Sequence, residues 1–416
     1  MPEGRTQAPP QGGRVWPRIP LGELSEITAG LTLGSEPTGD SSVVLPYLRV
    51  ANVQDGHLDL SEVKTVRVLR SQIDRYRLFR GDVLLTEGGD FDKVGRGAVW
   101  NGQIPLCLHQ NHIFRVRCDA RRLLSGYLAA YVRSYRAKQY FLGVAKRTTT
   151  IASIDLPQLQ RMPIPLPSLN DQQSIVELLN VVDKEAALVK QVLVKLRSIE
   201  WGTLSDLITA GVRDIPQNGW VWRRVEEIGE VQLGRQRSPA HDAGPWMGPY
   251  LRVANVMDGY IDYSDVLRMN FMPNERTTYE LRHGDILLNE GQTLELVGRS
   301  AIFDGPPQMF FQNTLIRFRP RFTLPEFARA VFKYWLETGE FTKVAKQTTS
   351  IAHLGADRFA AMRFPLAPRK EEQRIVNVLS ALADRVRAEQ SRLAKLDLMK
   401  EGLMEDLLTG KVRIPQ

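Results

Sequence analysis

Two short runs carry the groups best suited to chemistry. Lys146-Arg147-Thr148-Thr149-Thr150 and, roughly two hundred residues later, Lys346-Gln347-Thr348-Thr349-Ser350 each set a lysine beside a row of hydroxyls. A lysine, hydroxyls and loop amides together suit a phosphate group. Threonines of this kind also cap or close turns, and residue type alone leaves both readings open. Arg96 and Arg299, each following Val-Gly, are further phosphate candidates. So are Arg49 with Asn52 and Arg252 with Asn255, although an arginine on a strand often only covers a sheet face.

Covalent chemistry finds little footing. HQNH (109–112) has the types of a histidine metal site, but the matching stretch reads FQNT (311–314). DFDK (90–93), near Glu87, has the carboxylates and lysine of a metal-dependent nuclease; its counterpart TLEL (293–296), after Glu290, has one acid and no lysine. No GxxxxGK[ST] phosphate loop occurs, no Gly-x-Ser-x-Gly elbow, and no Asn- or Asp-Pro-Pro-aromatic motif of amino-methyltransferases. GPPQ (305–308) reads as a turn. A group needed for a shared reaction should occur in both halves unless one copy has lost it, and neither cluster recurs intact. The expectation is a binding protein with no catalytic residue and no metal ligand.

These positions belong to a duplicated unit. PYLRVANVQDG begins at Pro46 and PYLRVANVMDG at Pro249, differing only at Gln54 against Met257. RGDVLLTEGGDFDKVGRGAVW (80–100) matches HGDILLNEGQTLELVGRSAIF (283–303), and VAKRTTTIASI (144–154) matches VAKQTTSIAHL (344–354). The match continues to DLITAGVR (206–213) and DLLTGKVR (406–413). A period of about 200 residues is too long for a solenoid repeat. Within each copy, DVLLTE and HIFRVR read as strands, and VQDGHLDL and VMDGYIDY as Asp-Gly hairpins. LLSGYLAAYVRSYRAKQYF (123–141) and EFARAVFKYWLETGEF (326–341) have helical spacing.

A different texture follows MPIPLPSLND (162–171) and FPLAPRKEEQ (364–373). Apolar residues fall at Ile175, Leu178, Val182, Val189, Leu196 and Ile199, then at Ile375, Val378, Leu382, Val386, Leu393, Leu396 and Leu403, with Glu389 interrupting the second set. That near-heptad spacing is the seam of helices packing lengthwise. Asn170 or Asp171 is the expected N-cap, and some 35 residues would make a rod of about 50 Å. The expected order is a disordered tail (1–15), an α/β (α+β) domain (16–168), a spacer helix (169–210), a second domain (211–368), and a second helix with tail (369–416). VRDIPQNGWVW and the terminal VRIPQ look like one joint, and VWPRIPLGEL echoes VWRRVEEIGEV. The chain ends should therefore meet, in a pseudo-circular, pseudo-two-fold arrangement of two domains held apart by two antiparallel helices forming a coiled-coil spacer.

Composition sets the outer bounds. The chain has 416 residues, 43% of them hydrophobic and 25% charged, the balance of a soluble globular protein with two or three domains. No apolar run nears the ~18 residues of a membrane span, and MPEGRTQAPPQGGR lacks the apolar segment of a secretory signal. Cys107 and Cys118 are too few for a disulfide framework or a zinc site, so a cytoplasmic location is expected. The net charge of +8 suits a polyanionic partner without requiring one.

A two-fold DNA reader commonly spaces its half-site readers by about one helical turn or a multiple of it, and this chain supplies such geometry within one polypeptide. The order of variable domain, long helix, domain and helix, with PYLRVANV, GD[VI]LL and TTTIASI/TTSIAHL in both copies, resembles the specificity subunit of type I restriction-modification enzymes over residues 16–413. The resemblance implies two target-recognition domains, each reading half of a split double-stranded DNA target. It also implies helices that act as ruler and as dock for two DNA methyltransferase (modification) subunits, joined by restriction/translocase subunits. S-adenosylmethionine, ATP and Mg would bind those partners, leaving this chain without a cofactor. A stand-alone DNA-binding or scaffold protein is the alternative, and a nuclease using Glu87 a second rival.

Duplication also sorts the contacts. Groups identical in both copies suit the fold or sequence-blind phosphate contact, and groups that differ suit base reading. Gln110-Asn111 and Gln312-Asn313 could read adenine edges, but their identity in two domains with different targets favours a structural hydrogen-bond role. The differing pairs are Arg147/Gln347, Lys93/Leu296 and Gly89/Gln292. Arg147 suits guanine and Gln347 suits adenine, which makes that pair the preferred base-reading candidate, with plain variable loop surface the competing reading.

Overall fold

The computed structural model describes residues 16–34, 41–91, 93–147, 151–213, 215, 218–347 and 351–414; the tail expected at 1–15 lies outside them. The chain divides into two compact units, residues 1–190 with 391–416, and residues 191–390. Two long helices, Leu169–Arg213 and Arg369–Thr409, each give one end to each unit.

Each unit is built on a four-stranded antiparallel sheet. In the first the order is Ser25–Ala29, Ile113–Cys118, Val83–Thr86, Gly97–Val99; in the second, Gly229–Leu233, Leu315–Pro320, Ile286–Asn289, Ser300–Ile302. The unbroken apolar run of DVLLTE follows from burial on both faces. Val83 and Leu85 face the helices around Leu128 and Phe141, while Leu84 faces a second cluster with Trp100 and Ile113. The preceding Gly-Asp has its own reason. Gly81 and Gly284 turn at φ +96° and +90°, a region favourable to glycine. Asp82 then accepts from the Phe79 amide (2.7 Å), and Asp285 from the Arg282 amide (2.7 Å). Both carboxylates are buried and hold Arg117 and Arg319 through paired hydrogen bonds of 2.7–2.9 Å.

A smaller sheet carries the repeated phrase. Ser42–Leu48 pairs antiparallel with Lys64–Leu69 and parallel with Leu108–His109, and Met247–Leu251 is placed likewise between Leu267–Asn270 and Phe310–Phe311. The Asp-Gly segments form tight turns, with Gly56 and Gly259 at φ +87° and +85°. They are flanked by single bridges (Val53 to Leu58, Val256 to Ile261), not by the hairpin strands expected from sequence. The stretch 123–141 breaks into Ser125–Val132 and a second helix from Tyr135, capped by Ser134. The stretch 326–341 breaks at Gly339 (φ +75°).

The long helices run further than expected, 45 and 41 residues. The buried seam of the first is Ile175, Leu179, Val182, Ala186, Val189 and Leu193, a regular alternation of four and three. Leu179 takes the place expected for Leu178, and Ile199 is half exposed. Ser168, not Asn170 or Asp171, caps it, accepting from the Asp171 amide at 3.2 Å. Matched residues one turn in fasten each helix to its sheet domain. Buried Gln172 accepts from the Leu124 amide (2.8 Å) and donates to the Arg122 carbonyl (2.9 Å). Buried Glu372 accepts from the Thr323 hydroxyl (2.7 Å) and the Leu324 amide (3.0 Å).

Within the first unit the chain ends meet. Trp16 donates its indole N–H to the Leu407 carbonyl (2.8 Å), and Arg413 lies 4.6 Å over its ring. In the second unit Trp220 is buried against Gly211, where a Cβ would come within 2.3 Å of the ring. Leu21 and Val225 donate to the carbonyls of Met162 and Met362, which aligns Trp16 with Trp220. The apparent echo of Trp16 in Trp222 is therefore two residues out of register. Trp222 stays on a partly exposed strand under Arg363.

Candidate nucleic-acid interface

In each unit a three-stranded sheet of very short strands carries the matched lysine and the preferred base-reading candidate. In the first, Ala152–Ser153 pairs with Gly88–Gly89 on one side and Lys146–Arg147 on the other. In the second, Ala352–His353 pairs with Gly291–Gln292 and Lys346–Gln347. The register aligns Gln347, Ala352 and Gln292 on one face and Lys346, His353 and Gly291 on the other, because directly opposed residues share a face. Two of the differing pairs, Arg147/Gln347 and Gly89/Gln292, thus stand at the same two points of the same sheet. Thr148, Thr149, Thr150, Thr348, Thr349 and Ser350 lie outside the described residues, as does the side chain of Arg147.

The matched lysines have unlike surroundings. Lys146 is paired with Asp155 at 3.2 Å. Hydrogen bonds from Gln158, then Lys146 itself, hold the Asp155 carboxyl below the usual carboxylate range. Lys346 is exposed and has no ion-pair partner among the described residues, because the position of Asp155 is taken by Gly355. Lys93 pairs with Asp90, and Arg96 donates to the Gln54 side chain at 3.2 Å. Gln54 is the one position at which the repeated phrase differs. In the second unit, where the phrase has Met257, Arg299 keeps its Nε buried without a hydrogen-bond partner among the described residues.

Asn52 and Asn255 were expected to face phosphate, and here the structure corrects the sequence reading. Both are buried. Asn52 donates to the carbonyls of Asp59 (2.8 Å) and Glu62 (2.9 Å) and accepts from the Arg49 amide (2.8 Å). Asn255 repeats this with Asp262, Asp265 (2.9 Å each) and Arg252 (3.0 Å). With both ends of the amide engaged, neither has a group to offer a ligand; they tie the strand to the Asp-Gly turn. Arg49 and Arg252 extend from this tie to Glu62 and Asp265 at the surface. Gln110-Asn111 and Gln312-Asn313 are held by their backbones; the amides of Gln110 and Gln312 bond the carbonyls of Leu48 (2.9 Å) and Leu251 (3.0 Å). Their side chains make no hydrogen bond among the described residues.

Sequence reasoning missed one constellation. Glu87 holds His112 Nδ1 at 2.8 Å, and Glu290 holds His353 Nδ1 at 3.0 Å. The glutamates are matched but the histidines are not: His112 corresponds to Thr314, and His353 to Ser153. The matched glutamate was the available signal. Asp90 is committed to Lys93, and among the described residues no three His, Cys, Asp or Glu are grouped to hold a metal ion. The Cys107 and Cys118 thiols are both pushed up to about 12 by burial, far from the thiolate that makes a nucleophile. No described helix is long and apolar enough to cross a membrane.

Comparison with known proteins adds the family context. A family model described as the type I restriction modification DNA specificity domain matches twice, over residues 14–198 and 217–398. A proposed type I restriction enzyme specificity subunit, MjaX, of Methanocaldococcus jannaschii is 22% identical over 89% of this chain and 87% of its own length. The EcoKI specificity subunit of Escherichia coli K12 is 27% identical over 37% of this chain and 32% of its own. Among solved structures, a chain from a study of assembly and conformational transition of the type I R-M system covers 97% of this chain and all of its own, with a TM-score of 0.66 and 16% identity. The HsdS subunit of Thermoanaerobacter tengcongensis covers 98% and 99%, with a TM-score of 0.52 and 18% identity. At such identities these structures speak for the fold alone.

Proposed function

The chain belongs to the type I restriction-modification DNA specificity family, and from that premise we propose how its two units divide the work. Its role is DNA target recognition in a type I restriction-modification system, without catalysis of its own. Each unit reads one half of a split, asymmetric DNA target. The observation that carries this reading is the paired short-stranded sheet. One backbone framework is kept in both units, while Arg147 against Gln347 and Gly89 against Gln292 change the groups displayed on it. Of the shared cations, Lys346, Arg96 and Arg299 are assigned to phosphate, Lys146 being already paired with Asp155, and the differing side chains to base edges. The hydroxyls of Thr148–Thr150 and Thr348–Ser350 belong to the same assignment. Two methyltransferase subunits dock on the long helices and restriction subunits join them; S-adenosylmethionine, ATP and Mg belong to those partners.

Mapping methylated adenines in the host genome, with and without this gene, tests the proposal. One split motif should vanish on deletion, and loss of none would refute the assignment. Replacing residues 16–165 with another domain of the family should change one half of that motif and leave the other intact. Co-expression should yield a complex of one chain with two methyltransferase subunits; a chain that binds DNA but never assembles would favour the stand-alone reading.

A further inference from the structure

The Glu–His pair of the second unit stands beside a lysine without an ion-pair partner, and among the described residues that juxtaposition occurs only there. Lys346 and His353 are directly opposed across the strand pair and share its exposed face, which sets their Cβ atoms about 5 Å apart. The imidazole is fixed, not free to swing. Its Nδ1 is held by Glu290 at 3.0 Å, and the ring lies over Gly291, where a Cβ would come within 3.2 Å of Cε1. With Nδ1 tied inward, Nε2 is the nitrogen left to face outward, and it has no partner among the described residues. His353 is nonetheless 45% exposed at its side chain. The third position of the row is Gly291, which has no side chain to overhang the pair.

In the first unit the same sheet points read Lys146, Ser153 and Gly88, and the lysine is already paired with Asp155. Its Glu–His pair is built from His112, which lies outside the sheet. Hence one unit sets an uncommitted ammonium beside an oriented imidazole, and the other sets a neutralised lysine beside a hydroxyl.

We propose that Lys346 and His353 together grip one phosphate of the DNA backbone, a contact that the second unit makes and the first unit lacks. The inference rests on the DNA-reading role assigned above and adds an asymmetry to it. Nζ donates to one phosphate oxygen. The imidazole, held on Glu290 through Nδ1, turns Nε2 to another oxygen of the same phosphate. The charged groups facing it are Glu290, Lys346 across the strand pair, and Arg358, which donates to the His353 carbonyl at 2.7 Å. A phosphate contact is blind to sequence. It should therefore change affinity evenly across DNA sequences and change the salt dependence of binding.

The test is fluorescence anisotropy with the full chain, alone and in its co-expressed complex. The probes are a labelled duplex of about 40 base pairs carrying the mapped motif and one of unrelated sequence, over roughly 50–200 mM salt. Lys346→Ala with His353→Ser should reduce the slope of log K against log salt by about 0.9, the loss of one phosphate contact. Lys146→Ala should leave the slope unchanged. His353→Ser installs the residue the first unit carries at this point, and His353→Lys, which keeps a cation, should retain the slope. A slope loss in Lys146→Ala equal to that of the double variant, or an unchanged slope in the double variant, would overturn the proposal. A wild-type chain that binds neither duplex, alone or in complex, would overturn the DNA-reading role itself and this contact with it.

Discussion

Acid should weaken the first unit before the second, through one buried side chain. His109 is fully buried, with Nδ1 donating to the Tyr76 carbonyl at 2.9 Å. Burial is the main cause that pushes its pKa down to about 4, and Arg115 adds to it. The usual value is about 6.5. Between those values the unfolded chain takes up a proton that the folded unit refuses, so stability falls as pH drops. From pH 7.5 to pH 5 the linkage amounts to about 2 kcal/mol, approaching about 3 kcal/mol below pH 4. The second unit offers an internal control, because its matched position is Phe311, buried in the same place. Hydrogen exchange read by mass spectrometry on peptides covering Val83–Thr86 and Ile113–Cys118, against Ile286–Asn289 and Leu315–Pro320, separates the units. After correction for intrinsic rates, the first pair should lose about 30-fold more protection than the second, the equivalent of about 2 kcal/mol. His109→Phe should remove that excess. If the excess persists in His109→Phe, or if both units lose protection alike, burial of this imidazole is not the cause.

Three further substitutions probe the scaffold. Asp82→Ala should cost about 3–5 kcal/mol in urea unfolding, because it strands Arg117 and the Phe79 amide together. Asn52→Leu should cost about 2–3 kcal/mol by freeing two carbonyls and one amide; if stability holds while DNA binding drops, the original assignment of Asn52 to phosphate returns. Trp16→Ala should cost about 3–5 kcal/mol and expose the C-terminus to carboxypeptidase, since the indole anchors the Leu407 carbonyl and the Arg413 side chain.

Much of the fold is legible because the chain states it twice. Apolar runs such as DVLLTE and the near-heptad of the long helices survive in both copies, and burial on two faces or along a seam demands them. The misreadings share a cause: the deciding partner is a backbone group or a distant residue with no sequence signature. Asn52 satisfies carbonyls seven and ten residues away, and nothing in PYLRVANV announces them. Leu178 and Leu179 are equally apolar, so the face that wins depends on what the helix meets. Ser168 outranks Asn170 as a cap only once the helix start is known. The tryptophan register was misread because VW recurs by chance two residues away from the pair that packs. Matching the copies finds only half of each Glu–His pair, since Glu87 and Glu290 align but each unit recruits its histidine from a different strand or loop.

That last point limits how far identity between copies can sort scaffold from contact. Lys146 and Lys346 are the same residue at the same register of the same sheet, and on identity alone they belong to one class. Their neighbours divide them. Asp155 both caps the short helix Leu156–Gln160, accepting from the Gln158 amide at 2.9 Å, and neutralises Lys146. Gly355 at φ +74° starts the equivalent helix without a carboxylate and leaves Lys346 its full charge. A choice between two ways of starting a helix has thus become a difference in surface charge nine residues upstream. Recognition in a duplicated protein can diverge without any change in the residue that makes the contact, and residues such as Asp155, Gly355 and His353 belong beside Arg147 and Gln347 in any account of how the two units come to differ.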